Sequence, residues 1–227
     1  MISLVIPALN AGAHLVRTLP LLAAANLADE IVIAVASTNA PIADNTAETA
    51  RRFGARVVAA PKGRGIQARA GAAAATGEWL FFLHADTVPD DNALAAVRRF
   101  VADPANRSRA GFFALRLDDR ASAARRIETL ARWRARLFAL PYGDQGLLIH
   151  RALYESVGGH PPIAIMEDVA LARRLGRARL VRLDGALMTS AERYRRDGYW
   201  LRPIRNLFCL ALYFLGVPPP LIARLYG

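Results

Sequence analysis

The sequence predicts an α/β fold: one domain with a mostly parallel central sheet flanked by helices, and an apolar helix near the C-terminus. Three observations predict it. In the first hundred residues, short apolar runs alternate with helix-period segments, as in strands joined by crossover helices. The run Trp79, Leu80, Phe81, Phe82, Leu83 is continuously apolar, as in a strand buried on both faces of a parallel sheet, and it stops at His84, Ala85 and Asp86. A length of 227 residues suits one sizeable domain. The expected bounds are residues 1–195 for that domain and 196–227 for a helical appendage.

Taken in order, residues 2–6 form a first strand, and Pro7, Ala8, Leu9, Asn10, Ala11 and Gly12 turn the chain into a helix over 13–25. This is the opening half of a nucleotide-binding βαβ unit. The turn lacks G-x-G-x-x-G, which argues against a dinucleotide site. A second strand over 31–36, a polar loop over 37–45, a helix through Arg52 and a short strand over 56–59 follow. Residues 61–77, PKGRGIQARAGAAAATG, set Lys62, Gly63, Arg64 and Gly65 ahead of an alanine-rich helix. Backbone amides at such a start favour phosphate, although an ordinary helix start with solvated charges reads the same way, and no Walker loop is present. Beyond Asp86 the pattern gives a helix over 90–101, a strand over 110–117 and an arginine-rich helix over 120–140 with a solvated face. A polar turn of Tyr142, Gly143, Asp144 and Gln145 precedes apolar Leu147, Leu148 and Ile149. The last clear helical period starts at Glu167 and Asp168, with Val169, Leu171, Ala172 and Leu175 as its stripe.

Lysine and arginine total 30 against 19 acidic residues, a net charge of +11, and Lys62 is the only lysine. Such a surface attracts anions. The arginines are scattered over helices without interleaved aromatics, which argues against nucleic-acid binding. Cys209 stands alone, so there is no intrachain disulfide or cysteine zinc site, and a reducing, cytoplasmic location is expected. The opening ISLVIPALN reads as a core strand rather than a signal peptide. Residues 207–217, LFCLALYFLGV, are too few to span a bilayer and are flanked by Arg202, Arg205 and Arg224. They either pack onto the domain or a second copy in a homodimer, or lie on the inner face of an anionic membrane.

Asp86 is the first candidate site residue. In open α/β sheets ligands bind beyond the carboxyl ends of strands, and one carboxylate beside an imidazole, His84, suits a hard divalent cation that shares its positions with substrate phosphates. The competing reading is that Asp86 only caps the helix starting near Asp90. Glu167 and Asp168 are favoured by a helix dipole in any case, yet an acidic pair after GGHPP can also hold a base beside a cleft. Asp144 and Gln145 are either turn chemistry or part of a site. His150 and His160 receive no role.

Together, SLVIPALN, GRGIQARAGAAAATGEWLFFLHADTVP, PYGDQ, GG-x-P and MEDVALARRL, in this order, resemble the family 2 glycosyltransferases of the GT-A, Rossmann-like type. FLHADT, PYGDQ and MEDVALARRL look, more narrowly, like a bacterial subgroup associated with radical-enzyme and selenodomain gene neighbourhoods. The resemblance implies a metal-dependent, inverting sugar transferase with a nucleotide-sugar donor and a small-molecule or lipid-linked hydroxyl acceptor. It implies that Asp86 is the last aspartate of D-x-D, holding Mn2+ or Mg2+, with His84 in place of the first. It further implies that Pro7, Ala8 and Asn10 meet the nucleotide, that Arg64 and Gln67 line its nucleoside side, and that Asp168, with Glu167, supplies the base. Asp144 and Gln145 match a motif that would contact the sugar or acceptor. Two departures stand out. Family members carry an aspartate at the end of strand two, where this chain has Ala34, Val35 and Ala36 and the next aspartate is Asp44; Arg69 also replaces a small polar residue. A catalytically reduced binding module and a nucleotidyltransferase are the competing functions. The latter needs a basic loop after the first strand, and PALNAGAH has none.

Overall fold

In this computed structural model, residues 1–37 and 45–226 are described. Among them, the sheet runs in the order β3-β2-β1-β4-β7-β6-β8-β5. Its first half has β1 (Ile2–Ala8) followed by α1 (Gly12–Ala24), β2 (Glu30–Ser37) by α2 (Thr46–Arg52), and β3 (Arg56–Pro61) by α3 (Arg64–Ala74). Next comes β4 (Trp79–Phe82), which pairs in parallel with β1 through Leu4 and Phe81. All of β4 is buried, with Leu80 and Phe81 fully inaccessible, as its unbroken apolar run requires. The far side begins with β5 (Thr87–Pro89) and α4 (Asp91–Ala102). Asp90, and not Asp86, caps α4: its Oδ1 accepts from the Ala93 amide at 2.8 Å. That removes the capping explanation for Asp86.

Beyond α4, β6 (Ala110–Leu117) is followed by α5 (Ser122–Phe138), and β7 (Leu147–His150) by α6 (Arg151–Ser156). Then come α7 (Glu167–Leu175), β8 (Leu180–Thr189), α8 (Glu192–Asp197), α9 (Leu201–Phe214) and α10 (Pro219–Tyr226). The pairings β3-β2, β2-β1, β1-β4 and β6-β8 are parallel, while β7 runs antiparallel to both neighbours and β5 antiparallel to β8. The predicted strands and helices fall within a few residues of those found. Missing from the prediction were β5, α6, β8 and α8. In β8 the register against β6 shifts between Phe112 and Ala114, so the burial alternation that marks a strand is broken along LVRLDGALMT.

The C-terminal stretch forms two helices rather than one. Cys209 of α9 and Ile222 of α10 are buried in one cluster with Leu140, Ile165, Met166, Val169 and Ala172. Among the described residues no helix is long and apolar enough to cross a membrane.

Gln67 of α3 ties the carboxyl ends of two strands together. Its Nε2 donates to the carbonyls of Ala8 at 2.7 Å and Ala34 at 2.9 Å, and the residue is 3% exposed. Two buried carbonyls lose their donor in Gln67→Leu, which is therefore expected to lower stability by about 1–3 kcal/mol. Urea unfolding measures this; wild-type stability in the variant would show that the amide is not structural.

Candidate functional site

Two helix starts meet at the carboxyl edge of the sheet. The first amides of α3 do not face a ligand: Arg64 N donates to the Ala164 carbonyl at 3.4 Å and Gly65 N to that of Ile163 at 3.1 Å. This corrects the expectation that the loop's backbone cradles phosphate, since the 161–166 segment occupies it. The approach is so close that a Cβ on Gly65 would lie 2.2 Å from the Pro161 carbonyl oxygen. Met166, the residue before α7, sits at φ 66°, a left-handed conformation that a long side chain rarely takes. It turns the chain so that Glu167 and Asp168 enter beside Arg64.

Three cavities join here. A small one of about 90 Å3 brings together Arg64, His84, Asp86, Asp144, Asp168 and Arg193. On one side it shares Arg64, His84 and Asp86 with a cleft of about 610 Å3 that also takes in Pro7, Asn10, Lys62 and Gln67. On the other it shares Tyr142, Asp144, Tyr194 and Asn206 with an apolar groove of about 830 Å3.

The loop carrying His84 and Asp86 is fixed by its backbone: Leu83 N donates to the Val5 carbonyl, Thr18 Oγ1 to that of Ala85, and Ser190 N to that of Asp86. The Nε2 of His84 packs onto Gly143, where a Cβ would come within 2.6 Å. Burial and the Arg64 charge push the His84 pKa down, so the ring is neutral at neutral pH. Burial raises the Asp144 carboxyl, whose Oδ1 has no partner. Asp168 is held at both oxygens, Oδ2 accepting from Gly143 N at 2.8 Å and Oδ1 from Val169 N at 2.7 Å. Glu167 is 5% exposed and its Oε2 is unpartnered; burial, reinforced by Asp168, pushes its pKa up to about 8. Although burial disfavours the Arg64 charge, Glu167, Tyr226 and Asp168 outweigh that and raise its pKa.

Two expected contacts are scaffold instead. Gln145 is 2% exposed, with Oε1 accepting from Arg134 at 2.8 Å and Nε2 donating to the Phe113 carbonyl, and it lines none of these cavities. Ala8 is buried in the core and offers only the carbonyl that Gln67 takes. Asp44 lies outside the described residues. His160 is buried, and its backbone amide donates to the Tyr154 hydroxyl at 3.0 Å.

Sequence reasoning missed Arg193, Arg202, Asn206 and Tyr226, all on the small cavity's wall. Arg202 donates to Asp197 Oδ2 at 2.7 Å, and its guanidinium lies 5.8 Å from the Tyr226 ring, which Arg64 also faces at 5.8 Å. Thus α9 and α10 complete the site. The spacing of Arg202, Arg205 and Asn206 along one helical face was the available signal.

Residues 3–158, more than two thirds of the chain, match the profile of glycosyl transferase family 2. The chain belongs to this family. No curated protein sequence matches it. Solved structures share the glycosyltransferase's fold. A glucosyl-3-phosphoglycerate synthase from Mycobacterium tuberculosis, in complex with Mn2+, UDP and glucosyl-3-phosphoglycerate, is 20% identical with TM-score 0.55, over 84% of this chain and 70% of that one. A mannosyl-3-phosphoglycerate synthase from Rubrobacter xylanophilus is 18% identical with TM-score 0.60, over 95% and 75%. S. aureus TarS 1-349 in complex with UDP-GlcNAc is 15% identical with TM-score 0.60; 83% of this chain aligns, spanning 58% of that one.

Among the described residues, no three His, Cys, Asp or Glu side chains could hold a metal ion by themselves. The residues that a cation would find here are Asp86, with His84 next to it and the unpartnered Asp144 Oδ1 nearby. It fits a hard cation that completes its shell with water and substrate phosphates.

Because Glu167 keeps its proton up to about pH 8 when folded but only to about 4.5 when unfolded, stability falls as pH rises through that window. In Glu167→Gln this contribution disappears, so the Tm difference between pH 5 and pH 8 is expected to shrink. Parallel pH profiles for the two proteins would contradict the assignment.

Proposed function

We propose that this glycosyltransferase moves a sugar from a nucleotide-diphosphate sugar to an acceptor hydroxyl in one metal-dependent, inverting displacement. The observation that carries the reading is the convergence of Asp86, Arg64 and Arg193 with Asp168 and Asp144 on one small cavity between two larger ones. The nucleotide lies in the basic cleft, against Pro7 and Asn10, with its diphosphate along Arg64 and Arg193. Burial and the Arg64 charge lower the Arg193 pKa, so an anion between the two guanidinium groups relieves their repulsion. Asp86, with His84, would hold Mn2+ or Mg2+, which when bound supplies charge stabilisation to the leaving diphosphate. The synthase crystallised with Mn2+ and UDP supports both the donor class and the ion.

Asp168 accepts the acceptor's proton, its carboxylate aimed by the two amides that hold it. Glu167, protonated at neutral pH, adds no second negative charge beside it. Asp144 faces the point where the transferred sugar and the acceptor meet. A single displacement without an enzyme-bound sugar inverts the anomeric centre. The lone, buried Cys209 supports work in the cytoplasm. FLHADT, PYGDQ and MEDVALARRL support membership of the radical-enzyme and selenodomain-associated subgroup. A reduced binding module is the second reading, favoured by the Ala34 carbonyl being tied to Gln67 where relatives place a base-reading aspartate.

Asp86→Ala is expected to abolish metal-dependent nucleotide binding. Asp168→Asn should leave that binding intact while lowering turnover by a factor of about 100 or more. Release of nucleoside diphosphate from donor sugars gives the rate and calorimetry the affinity; unchanged rates in both variants would overturn the transferase reading.

A further inference from the structure

The apolar groove is the largest feature that the donor chemistry leaves unused. It runs between α5 and α9 and holds about 830 Å3, the size of a pocket that takes a whole small ligand. Its walls carry large apolar side chains that face solvent: Leu130 is 59% exposed, Phe138 68%, Trp200 65%, Ile204 61% and Leu207 67%. A contiguous apolar surface of this kind marks a binding site. Its rim is cationic. Arg126 lies 4.6 Å from the Trp200 ring on the apolar wall, and Arg134 stacks on Tyr142 at 3.2 Å, so Arg134 borders the hydrocarbon surface and the polar junction at once.

Continuity decides what the groove is for. Tyr142, Asp144, Tyr194 and Asn206 belong both to the groove and to the small cavity that contains Asp168. The donor cleft meets that cavity through other residues, Arg64, His84 and Asp86, and shares none with the groove. A molecule with its tail between α5 and α9 therefore presents its head to Asp168. Asn206 Oδ1 and Asp144 Oδ1, both buried and unpartnered, stand where such a head group enters.

We propose that the acceptor is a membrane lipid whose hydrocarbon tail lies in this groove and whose anionic head, bearing the accepting hydroxyl, reaches the junction past Arg126 and Arg134. This rests on the transferase reading. In the transfer the bond between the anomeric carbon and the donor phosphate oxygen breaks, and a bond from the head-group oxygen to that carbon forms. The hydroxyl proton passes to Asp168, and the nucleoside diphosphate leaves with the electron pair. The arginine-rich outer face of α5 and the exposed apolar face of α9 then sit against the membrane that supplies the lipid.

The test uses dioctanoyl phosphatidylglycerol below its micellar concentration as probe, with glycerol 3-phosphate as the head without a tail and dioctanoyl phosphatidylcholine as the tail without net charge. Trp133 and Trp200 line the groove and report occupancy by their fluorescence. The expected order is phosphatidylglycerol, then phosphatidylcholine, with no response to glycerol 3-phosphate. Ile204→Asp and Leu207→Asp, at exposed positions that tolerate substitution, should each weaken lipid binding about tenfold or more. Neither should change binding of nucleoside diphosphate with Mn2+, because the groove shares no wall residue with the donor cleft. Equal responses to all three probes would overturn the proposal. So would a dimer, seen by light scattering, that Ile204→Asp splits, because a second copy would then own the groove. Loss of donor turnover in the wild type would instead count against the transferase reading, which separates the two failures.

Discussion

The packing of α3 against the segment that leads into α7 is the constraint on which the site depends. Gly65 admits the carbonyls of Pro161 and Ile163 to within contact of its backbone, and this close approach sets Arg64 beside Glu167 and Asp168. A buried guanidinium without an anionic partner would bear the full cost of desolvation. With the Asp168 carboxylate beside it, Arg64 stays charged and one end of the cleft is positive. The same contact fixes the difference between the acids. Asp168 is held by two amides at the open cavity, whereas Glu167 is enclosed behind it and stays protonated at neutral pH.

The other half of the site comes from the sheet. Burial of β4 between β1 and β7 leaves it no freedom in register, so the chain emerges at His84 and Asp86 in one position. Asp86 then meets Arg193, which a short helix brings from the far end of the chain. The two larger cavities share no wall residue: the loops after β1 and β4 line the basic cleft together with α8, α9 and α10, and α5 with another face of α9 lines the apolar groove. The small cavity that holds Asp86 and Asp168 joins them.

Much of this was legible in the sequence. The unbroken apolar run of β4, the carboxylate at its end and the helical period starting at Glu167 each have a local cause, and each fell where its pattern put it. What was hidden depends on distance along the chain. Nothing near Arg64 says that its helix amides are filled by carbonyls a hundred residues away, and nothing near Gln145 says that its amide is engaged by Arg134 and Phe113. Arg193 and Tyr226 were unreadable for the same reason, and the polar face of Arg202, Arg205 and Asn206 could be read as a face but not as the surface it covers. The strand β8 escaped because its bulged register against β6 erases alternation.

If Asp86, Arg64 and Arg193 form a nucleoside-diphosphate site, calorimetric titration of the chain with UDP, GDP, CDP and dTDP, each with and without Mn2+, will show one diphosphate binding and Mn2+ tightening it. Failure of all four to bind, with and without the ion, would contradict it.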